Sequence, residues 1–471
     1  MSHNLKAILP VGKIASITLT LLSLAFPSAN AQEMSAEDVN DMVLIWIGGH
    51  ARSEWNKEMF TPYVVHKFQD NHRSWLFDGF LMIEGQLQEL DEKGNLVQMY
   101  SLGESNDYPA RKEHWEYILD KQLGLIDGTG CKALDETIGE LIPVLGQPAT
   151  KHKVVMMQCI PKGFAANWGE INGKKINFGV AAEKIEAMKW YTDLVIEKFN
   201  ACNFKNIVLD GIYWVREDIT DQEVVLVEGM TPYYKEKGLK SYWIPWFHAS
   251  NIDKWQDLGF DMTYQQPGYF FDVSRPIDRL EQACEDAWEY SMGIELEFEG
   301  NCVVGYDDKR VTVPQHNSAL FDNSEVYHQR FIDYIDYLEE YAIFDFMQMA
   351  YYSGYQAVYD FAKSQNQKDK LTMDRLASII EKRHIASGWY TPQNAGLIDL
   401  DYNNKVTVLA YNGAIEINTS NPLDVDVYTI DGRNIFKHKA GDSAATSFTL
   451  SCPKGIYLVK AGDKTSKIIV K

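Results

Sequence analysis

The chain has 471 residues, of which 45% are hydrophobic, 24% charged and 13% aromatic. It is long and apolar enough to bury a substantial core, which excludes a disordered chain and a single small domain. Its formal charge of −21, from 45 lysines and arginines against 66 aspartates and glutamates, disfavours nucleic acids and anionic membrane surfaces as partners, because both would be repelled. The 26 tyrosines and 12 tryptophans fit either a packed core or surfaces on which flat ligands stack.

Residues 1–31 are typical of a signal peptide. Lys6 and Lys13 precede the apolar run 14–26, and Pro27 ends that run. Small residues at positions 29 and 31 form a cleavage pattern. The apolar run is too short to span a bilayer, and no later stretch is long enough either. We therefore expect cleavage after Ala31, no membrane insertion, and a protein that is secreted, periplasmic or at the cell surface.

Eight short strand-like segments alternate with amphipathic helical stretches over residues 32–392. Several segments are apolar throughout, as in strands that are covered on both faces. This order predicts a (β/α)₈ barrel rather than a doubly wound sheet, and no GxGxxG motif follows the first strand. The long interval between the second and third strands predicts an insertion. The predicted strands are 43–48, 76–83, 154–160, 207–213, 242–247, 260–264, 293–298 and 344–350, and the clearest predicted helices are 181–199, 277–290 and 327–341.

Residues 393–471 predict a separate, small all-β sandwich of the immunoglobulin-like kind, because short alternating strands are spaced by turn residues. Its motifs VDVYTIDGRNIF and PKGIYLVKAGDKTSKIIVK resemble the C-terminal sorting domain of proteins exported by the type IX secretion route. That resemblance implies contact with the export machinery. The alternative is an accessory sandwich that only supports the barrel.

Acidic residues gather at two predicted strand ends of the barrel, where the active sites of such barrels lie. Glu217 follows the fourth strand, and the two-residue period of a strand places Glu295, Glu297 and Glu299 on one face of the seventh. Glycoside hydrolysis uses one carboxylic acid to protonate the leaving oxygen and a second carboxylate as nucleophile or base. Clustered carboxylates also raise each other's pKa, which keeps the acid protonated. The alternative is that the glutamates of the seventh strand are solvated or paired with basic residues.

Five segments, in order along the chain, resemble a secreted bacterial family that is classified as a domain of unknown function and is similar to (β/α)₈ glycoside hydrolases. The resemblance implies that Glu217 is the acid/base and that Glu295 or Glu297 is the nucleophile. We rank Glu297 first and Glu295 as its closest competitor. The segments are FDGFLMIEG (77–85), DGIYWVRE (210–217), SYWIPWFHASNIDKWQDLGFDMTYQQPGYFF (241–271), SMGIELEFEG (291–300) and MAYYSGY (349–355).

A second register also fits the fourth strand. Asp210-Gly211 followed by Glu217 has the spacing of chitinase-like barrels, which use assistance from the substrate in place of a second carboxylate. Their pattern requires acids where Tyr213 and Val215 stand. We therefore rank the two-carboxylate scheme first.

Other polar and aromatic residues at the predicted strand ends are candidates for substrate binding. The acids and amides could bind sugar hydroxyls or only backbone groups, and the rings could stack on sugars or only pack. A carbohydrate is the expected partner, and no cofactor is expected. The absence of HExxH and of a His pair at ligand spacing disfavours a metal site, and neither a GxSxG nucleophile elbow nor a P-loop is present. A non-catalytic carbohydrate-binding barrel and a surface scaffold remain alternatives. The candidates are Asp78, Asp210, Tyr213, Trp214, Trp246, His248, Tyr264, Gln265, Gln266 and Tyr351.

Overall fold

The computed structural model describes residues 34–49, 52–103, 107–163, 165, 167–305, 324–391, 398–401, 406–411, 413–419, 423–430, 432–440, 447–462 and 464–470. The predicted signal peptide, residues 1–31, lies outside the described residues. Within the described ranges, no helix combines the length and the apolar character that crossing a membrane would require.

Eight parallel strands close into a barrel, which confirms the predicted fold class. Each strand pairs with the barrel strands before and after it in the sequence, and the eighth pairs with the first. In chain order the strands β1 to β8 are Asp41–Trp46, Gly79–Ile83, His152–Gln158, Ile207–Trp214, Lys240–Trp243, Met262–Gln265, Gly293–Glu297 and Met349–Tyr352.

The fifth and eighth barrel strands differ most from their predicted bounds, each for a local reason. The fifth ends at Trp243, shortly before Pro245, which has no N–H group to donate to a strand ladder. The eighth begins later than predicted because residues Ile343–Phe346 form a short helix. Arg383 donates to the carbonyl groups of Phe344 and Met347, so these carbonyls are satisfied outside the sheet.

Helices surround the barrel and confirm the three predicted in the sequence. The predicted helices 181–199, 277–290 and 327–341 correspond to α4 (Ala181–Cys202), α6 (Asp278–Tyr290) and α7 (Ser324–Glu340). The helices of the described residues, α1 to α10, are Lys57–Val64, Lys112–Leu123, Cys131–Leu145, Ala181–Cys202, Val224–Glu236, Asp278–Tyr290, Ser324–Glu340, Ile343–Phe346, Ala357–Lys363 and Gln367–Ala386. Single turns of 3₁₀ helix lie at Ile252–Lys254 and Gly300–Cys302.

The predicted insertion between β2 and β3 consists of a small sheet followed by α2 and α3. This inserted sheet has the strands Gln86–Leu90, Leu96–Ser101 and Tyr108–Pro109. Its base contacts the carboxyl ends of the barrel strands, because Ile160 donates its N–H to the carbonyl of Leu102. Two smaller antiparallel hairpins lie outside the barrel sheet. One pairs Val65–Lys67 with Arg73–Trp75, and the other pairs Glu170–Ile171 with Lys174–Lys175.

A buried ion pair closes the amino-terminal end of the barrel. Asp41, at the start of β1, accepts hydrogen bonds from Nε of Arg383 at 2.9 and 3.1 Å, and Nε2 of His384 lies 3.4 Å from the same carboxylate. Burial alone would raise the pKa of Asp41, but Arg383 and His384 outweigh it and hold the pKa below its usual value. Because α10 carries both basic residues, this helix fixes the floor of the barrel.

The C-terminal strands form two four-stranded antiparallel sheets, as expected for a small sandwich. The order is β9-β10-β11-β14 in one sheet and β13-β12-β15-β16 in the other. Apolar residues of both sheets, among them Ile415, Val427 and Val459, form a core distinct from that of the barrel. Strands β9 to β16 are Ile398–Asp401, Val406–Tyr411, Ala414–Asn418, Val425–Thr429, Asn434–His438, Ser447–Ser451, Gly455–Ala461 and Lys464–Val470.

Candidate active site

Strand β7 turns a row of glutamates toward the inside of the barrel. The strand starts at Gly293, where a Cβ atom would lie 2.6 Å from the ring of Tyr264 on the neighbouring strand. The close approach of that ring requires glycine at this inner position. Glu295 and Glu297 follow at the two-residue period of a strand and therefore share the inner face, while Ile294 takes the opposite face. Both glutamates are 2% exposed.

Three carboxylates influence one another at the mouth of the barrel. Burial raises the pKa of Glu295 well above its ordinary value, and the charges of Glu297 and Glu217 raise it further. Burial and then the charge of Glu217 raise the pKa of Glu297 to about 7, although hydrogen bonds partly offset them. Glu217 is half-buried just beyond β4. The structure thus brings together the three predicted catalytic residues.

The loop after β6, residues 266–275, supplies groups that orient two of these carboxylates. We call it the β6 loop. Nε2 of Gln266 donates a 3.2 Å hydrogen bond to Oε1 of Glu217. The backbone N–H of Gly268 donates to Glu297, and the charge of Arg275 also favours the ionised form of Glu297. One loop therefore positions carboxylates that come from two different strands.

Helix α7 holds both Glu297 and the β6 loop. The hydroxyl of Tyr334 donates to Oε2 of Glu297. Arg330, one turn earlier on the helix, lies 3.5 Å from the ring centroid of Tyr269 and donates to its carbonyl. The same guanidinium donates to the carbonyl groups of Asp272 at 2.9 Å and Arg275 at 3.3 Å. Arg330 is therefore a positioning residue, since it fixes the backbone that carries the donors to the carboxylates.

Glu295 differs from Glu297 in its hydrogen bonding. Among the described residues, Oε1 of Glu295 has no hydrogen-bond partner. A buried carboxyl without donors is stable only in its protonated form. Glu299, further along the chain, accepts a 3.2 Å hydrogen bond from the hydroxyl of Tyr352, and burial raises its pKa. Burial, the neighbouring charges and the unpartnered Oε1 therefore favour the protonated form of Glu295 more than that of Glu297.

A second charged cluster lines the mouth next to β1 and β2. Arg52 makes two hydrogen bonds to Glu84, at 2.7 and 2.9 Å. Its guanidinium carbon lies 4.6 Å from the ring centroids of both Trp46 and Tyr355. Sequence reasoning missed this cluster. Glu84 directly follows β2, so the strand-end rule that identified Glu217 could have found it.

The comparison with known families bears on this barrel. Residues 41–378 match the family described as "Domain of unknown function (DUF4855)". The chain belongs to this family. None of the curated proteins matches it.

Solved structures resemble the DUF4855 barrel only distantly. An endo-β-1,4-mannanase from Cellulomonas fimi is 9% identical, covers 93% of this chain and 94% of its own, and gives a TM-score of 0.35. The GH18 chitinase ChiB from Flavobacterium johnsoniae is 10% identical, with coverage of 74% and 94% and a TM-score of 0.32. A tryptophan synthase α-subunit from Pyrococcus furiosus is 7% identical, with coverage of 75% and 99% and a TM-score of 0.29. At these identities and TM-scores, the likeness to solved structures carries no information on activity.

Three further predicted residues of the DUF4855 barrel lie at the mouth. Gln266 contacts Glu217 directly, as described above. Trp246 is 37% exposed and its backbone N–H donates to the carbonyl of Glu217 at 3.3 Å. The exposed ring of His248 lies 5.5 Å from the ring of Trp246. These side chains are open to a ligand that reaches the carboxylates.

The structure removes both predicted aspartates from the substrate-binding set. Asp78 accepts hydrogen bonds from the backbone N–H groups of Asn40 and Asp41, at the floor of the barrel. Asp210 occupies a bulge in β4, where it accepts from the hydroxyl of Tyr242 and lies 3.4 Å from Nζ of Lys240. Asp78 directly precedes β2, and Asp210 lies in the first half of β4, so both aspartates lie toward the end opposite to the mouth.

Four predicted aromatic residues are also buried, which corrects their assignment as surfaces for sugar stacking. The hydroxyl of Tyr351 donates to Asp41 at the floor. The ring of Tyr264 covers Gly293 inside the barrel. Tyr213 and Trp214 are buried at the end of β4. Side chains fill the interior of such a barrel and helices cover its outer face, so rings on either face of a strand pack as readily as they stack on ligands.

Gln265 is the last correction to the predicted set. It follows Tyr264, which points into the barrel, so alternation turns Gln265 toward the helices. Its amide accordingly donates a 3.1 Å hydrogen bond to Asp286 on α6. Only the second glutamine of the QQ pair faces the mouth.

The raised pKa of Glu295 predicts that this residue destabilises the protein at alkaline pH. The pKa of Glu295 is higher in the folded than in the unfolded state. Its contribution to the free energy of unfolding is therefore fully present below about pH 4.5 and is lost as pH rises through the folded-state pKa. We expect Glu295→Gln to unfold at higher denaturant concentration than the wild type at pH 8. The difference in free energy of unfolding between Glu295→Gln and the wild type should fall toward zero as the pH is lowered to 4.5, by up to about 1.4 kcal/mol per pH unit.

Chemical denaturation at several pH values measures this difference. Glu289→Gln, at an exposed position of the nearby helix α6, is the matched control and should follow the wild type throughout. An equal loss of stability in Glu295→Gln at pH 4.5 and pH 8 would contradict the assignment of a buried, protonated carboxyl.

Proposed function

We propose that the barrel is a glycoside hydrolase that acts on an oligo- or polysaccharide, with Glu217 as general acid/base and Glu297 as nucleophile. The observation that carries this proposal is the burial of Glu295 and Glu297 beside Glu217 at the C-terminal mouth. Buried like charges cost folding free energy. The buried carboxylate of Asp41, at the floor of the barrel, is by contrast neutralised by Arg383, as expected for a carboxylate with a structural role.

The hydrogen bonds favour Glu297 over Glu295 as the nucleophile. A nucleophilic carboxylate has to be ionised when it attacks. Glu297 receives donors from Tyr334 and Gly268 and feels the charge of Arg275. Within the described structure, Oε1 of Glu295 has no hydrogen-bond partner. In its neutral form, Glu295 adds no further negative charge next to Glu297.

The position of Glu217 suits the general acid/base. It is half-buried, so it faces the space that a substrate would enter, and Gln266 fixes one of its oxygens. The exposed indole of Trp246 lies next to it and can stack on a sugar ring. In the first step Glu217 would give its proton to the glycosidic oxygen while Glu297 forms a bond to the anomeric carbon. Water would then displace Glu297 and return a proton to Glu217.

Substitution of either carboxylate should abolish turnover. We expect Glu217→Gln and Glu297→Gln to lower kcat on an active polysaccharide by about 10²–10⁴-fold or more, because each removes a group that acts in the transition state. A panel of polysaccharides with a reducing-sugar assay provides the measurement. Glu289→Gln, outside the mouth, should retain wild-type activity.

The configuration of rescued products would assign the two roles. Azide should rescue Glu297→Ala by one direct displacement and give an inverted glycosyl azide. It should rescue Glu217→Ala after the glycosyl-enzyme has formed and give a retained product. A wild type that binds a glycan but cleaves none on the panel would contradict catalysis and support the non-catalytic carbohydrate-binding barrel.

The hydroxyl of Tyr334 should set the acidic limb of the pH profile. Glu297 must be ionised to attack, and its pKa is about 7, so kcat/KM should rise with pH through this region. Tyr334→Phe removes a donor to the ionised form, which raises the pKa of Glu297 and shifts the limb to higher pH.

Tyr337→Phe is the matched control for this measurement. Tyr337 lies one turn further along α7 and stacks on Tyr341 at 6.2 Å, so its loss should leave the limb in place. An unchanged acidic limb in Tyr334→Phe, with only a uniformly lower rate, would mean that Tyr334 is merely structural.

We also propose that residues 1–31 direct export and that residues 393–471 form a sorting domain distinct from the barrel. The support is the sequence pattern of both ends and the separate core of the sandwich. Mass spectrometry of the exported protein should show an N-terminus at Gln32 and loss of the C-terminal sandwich. An intact C-terminus would favour the accessory role, and retention of Met1 would contradict cleavage.

A further inference from the structure

A cavity of about 480 Å³ lies beside the mouth, between the barrel and its insertion. We call it the side pocket. Its walls are the loop Gly48 and Gly49 after β1, the first strand of the inserted sheet, and one face of α2. Gly48 has a φ of +110° and a Cβ there would lie 2.3 Å from Ile118 of α2. Glycine at this position lets the helix approach the barrel and form the wall.

The lining of the side pocket consists mainly of polar and aromatic side chains. His114, Tyr117 and Lys121 recur on one face of α2 at three- and four-residue spacing. The ring of Tyr100, from the inserted sheet, lies 4.1 Å from the ring of His114. Gln88 adds an amide from the first inserted strand. Aromatic rings beside hydrogen-bonding groups suit sugar rings and their hydroxyls.

Charges in the wall are balanced by their neighbours. Arg111 pairs with Glu113 at 2.9 Å, and Lys121 pairs with Asp127. Glu89 accepts a 2.7 Å hydrogen bond from the hydroxyl of Tyr100. These groups can donate to and accept from hydroxyls without an excess of either charge, which favours a neutral ligand.

His114 is a neutral donor in this wall. Its Nδ1 accepts a hydrogen bond from the backbone N–H of Arg111, so Nε2 carries the proton. Burial and then the charge of Arg111 lower the pKa of the imidazole. The ring therefore offers an N–H to a ligand rather than a positive charge at neutral pH.

A continuous set of contacts connects the side pocket to the end of β7, next to the carboxylates of the mouth. The N–H of Gly49 donates to Glu84, which holds Arg52 against Trp46. Trp46 packs on Tyr352 with the ring centroids 6.3 Å apart, and Tyr352 donates to Glu299 beyond β7. Strand β1 lies two strands from β7 around the barrel, about 10 Å at the usual strand spacing.

We propose that the side pocket is a subsite for a neutral sugar unit of the same chain that the mouth would cleave. This inference rests on the proposed function and deepens it, since a subsite beyond the cleavage point selects polysaccharides over short saccharides. The Glu84–Arg52 pair lies directly behind Gly49 of the pocket wall, on the side of the carboxylates.

Affinity electrophoresis of the full chain tests the subsite without requiring turnover. The gels would contain galactomannan, mixed-linkage β-glucan, xylan or polygalacturonate. Tyr100→Ala and Tyr117→Ala each remove a lining ring, and Tyr117 is already 47% exposed, so its loss should not affect folding. We expect about fivefold to tenfold weaker binding of a neutral polysaccharide that retards the wild type. Tyr108→Ala, a 64% exposed tyrosine of the inserted sheet that does not line the pocket, should bind like the wild type.

The outcomes separate the subsite from the proposed hydrolysis. Wild-type retardation that is lost in Trp246→Ala but unchanged in Tyr100→Ala and Tyr117→Ala would overturn the subsite and leave the mouth intact. Weaker binding in the two side-pocket variants, without turnover by the wild type on any glycan, would support the subsite and overturn hydrolysis. Retardation only by polygalacturonate would overturn the neutral ligand, and no retardation of the wild type by any polymer would overturn the subsite.

Discussion

The burial of like-charged carboxylates at the end of β7 is the constraint around which the mouth of the barrel is built. Glu295 and Glu297 are almost completely buried, and Glu217 is close enough to raise the pKa of both. Such a cluster is stable only if protons, hydrogen-bond donors or positive charge compensate it. All three act here: the raised pKa of Glu295 favours its protonated form, Tyr334 and Gly268 donate to Glu297, and the charge of Arg275 favours ionised Glu297.

The two ends of the barrel treat buried acids in opposite ways. At the floor, Asp41 is paired with Arg383 and accepts the hydroxyl of Tyr351, so its charge is satisfied. At the mouth, the carboxylates are only partly compensated. This division matches the general pattern of such barrels, in which the amino-terminal end provides stability and the carboxyl-terminal end carries the chemistry. Burying these carboxylates at the mouth costs folding free energy, and that cost supports a functional role for them.

The eight strands and the sandwich could be predicted because they depend on local patterns. Apolar runs, two-residue alternation and turn residues are properties of neighbouring positions, and Gly293–Glu297 was predicted almost to the residue. The same local rule selected Glu217, Glu295 and Glu297. It failed for Asp78 and Asp210, because a single sequence does not show at which end of its strand a polar residue lies, and Asp210 sits on a bulge that the pattern hides.

The fold class, the family and the three acids that meet at the mouth follow from the amino-acid sequence alone, because each depends on residue spacing within short segments. The surroundings of those acids depend on how distant segments pack together. Tyr334 and Arg330 lie on a helix far along the chain from Glu217, and Gln266 and Gly268 come from a loop after another strand. Contacts between segments that are distant in the sequence cannot be predicted from local periodicity. They distinguish Glu297, whose carboxylate accepts hydrogen bonds, from Glu295, whose Oε1 accepts none among the described residues.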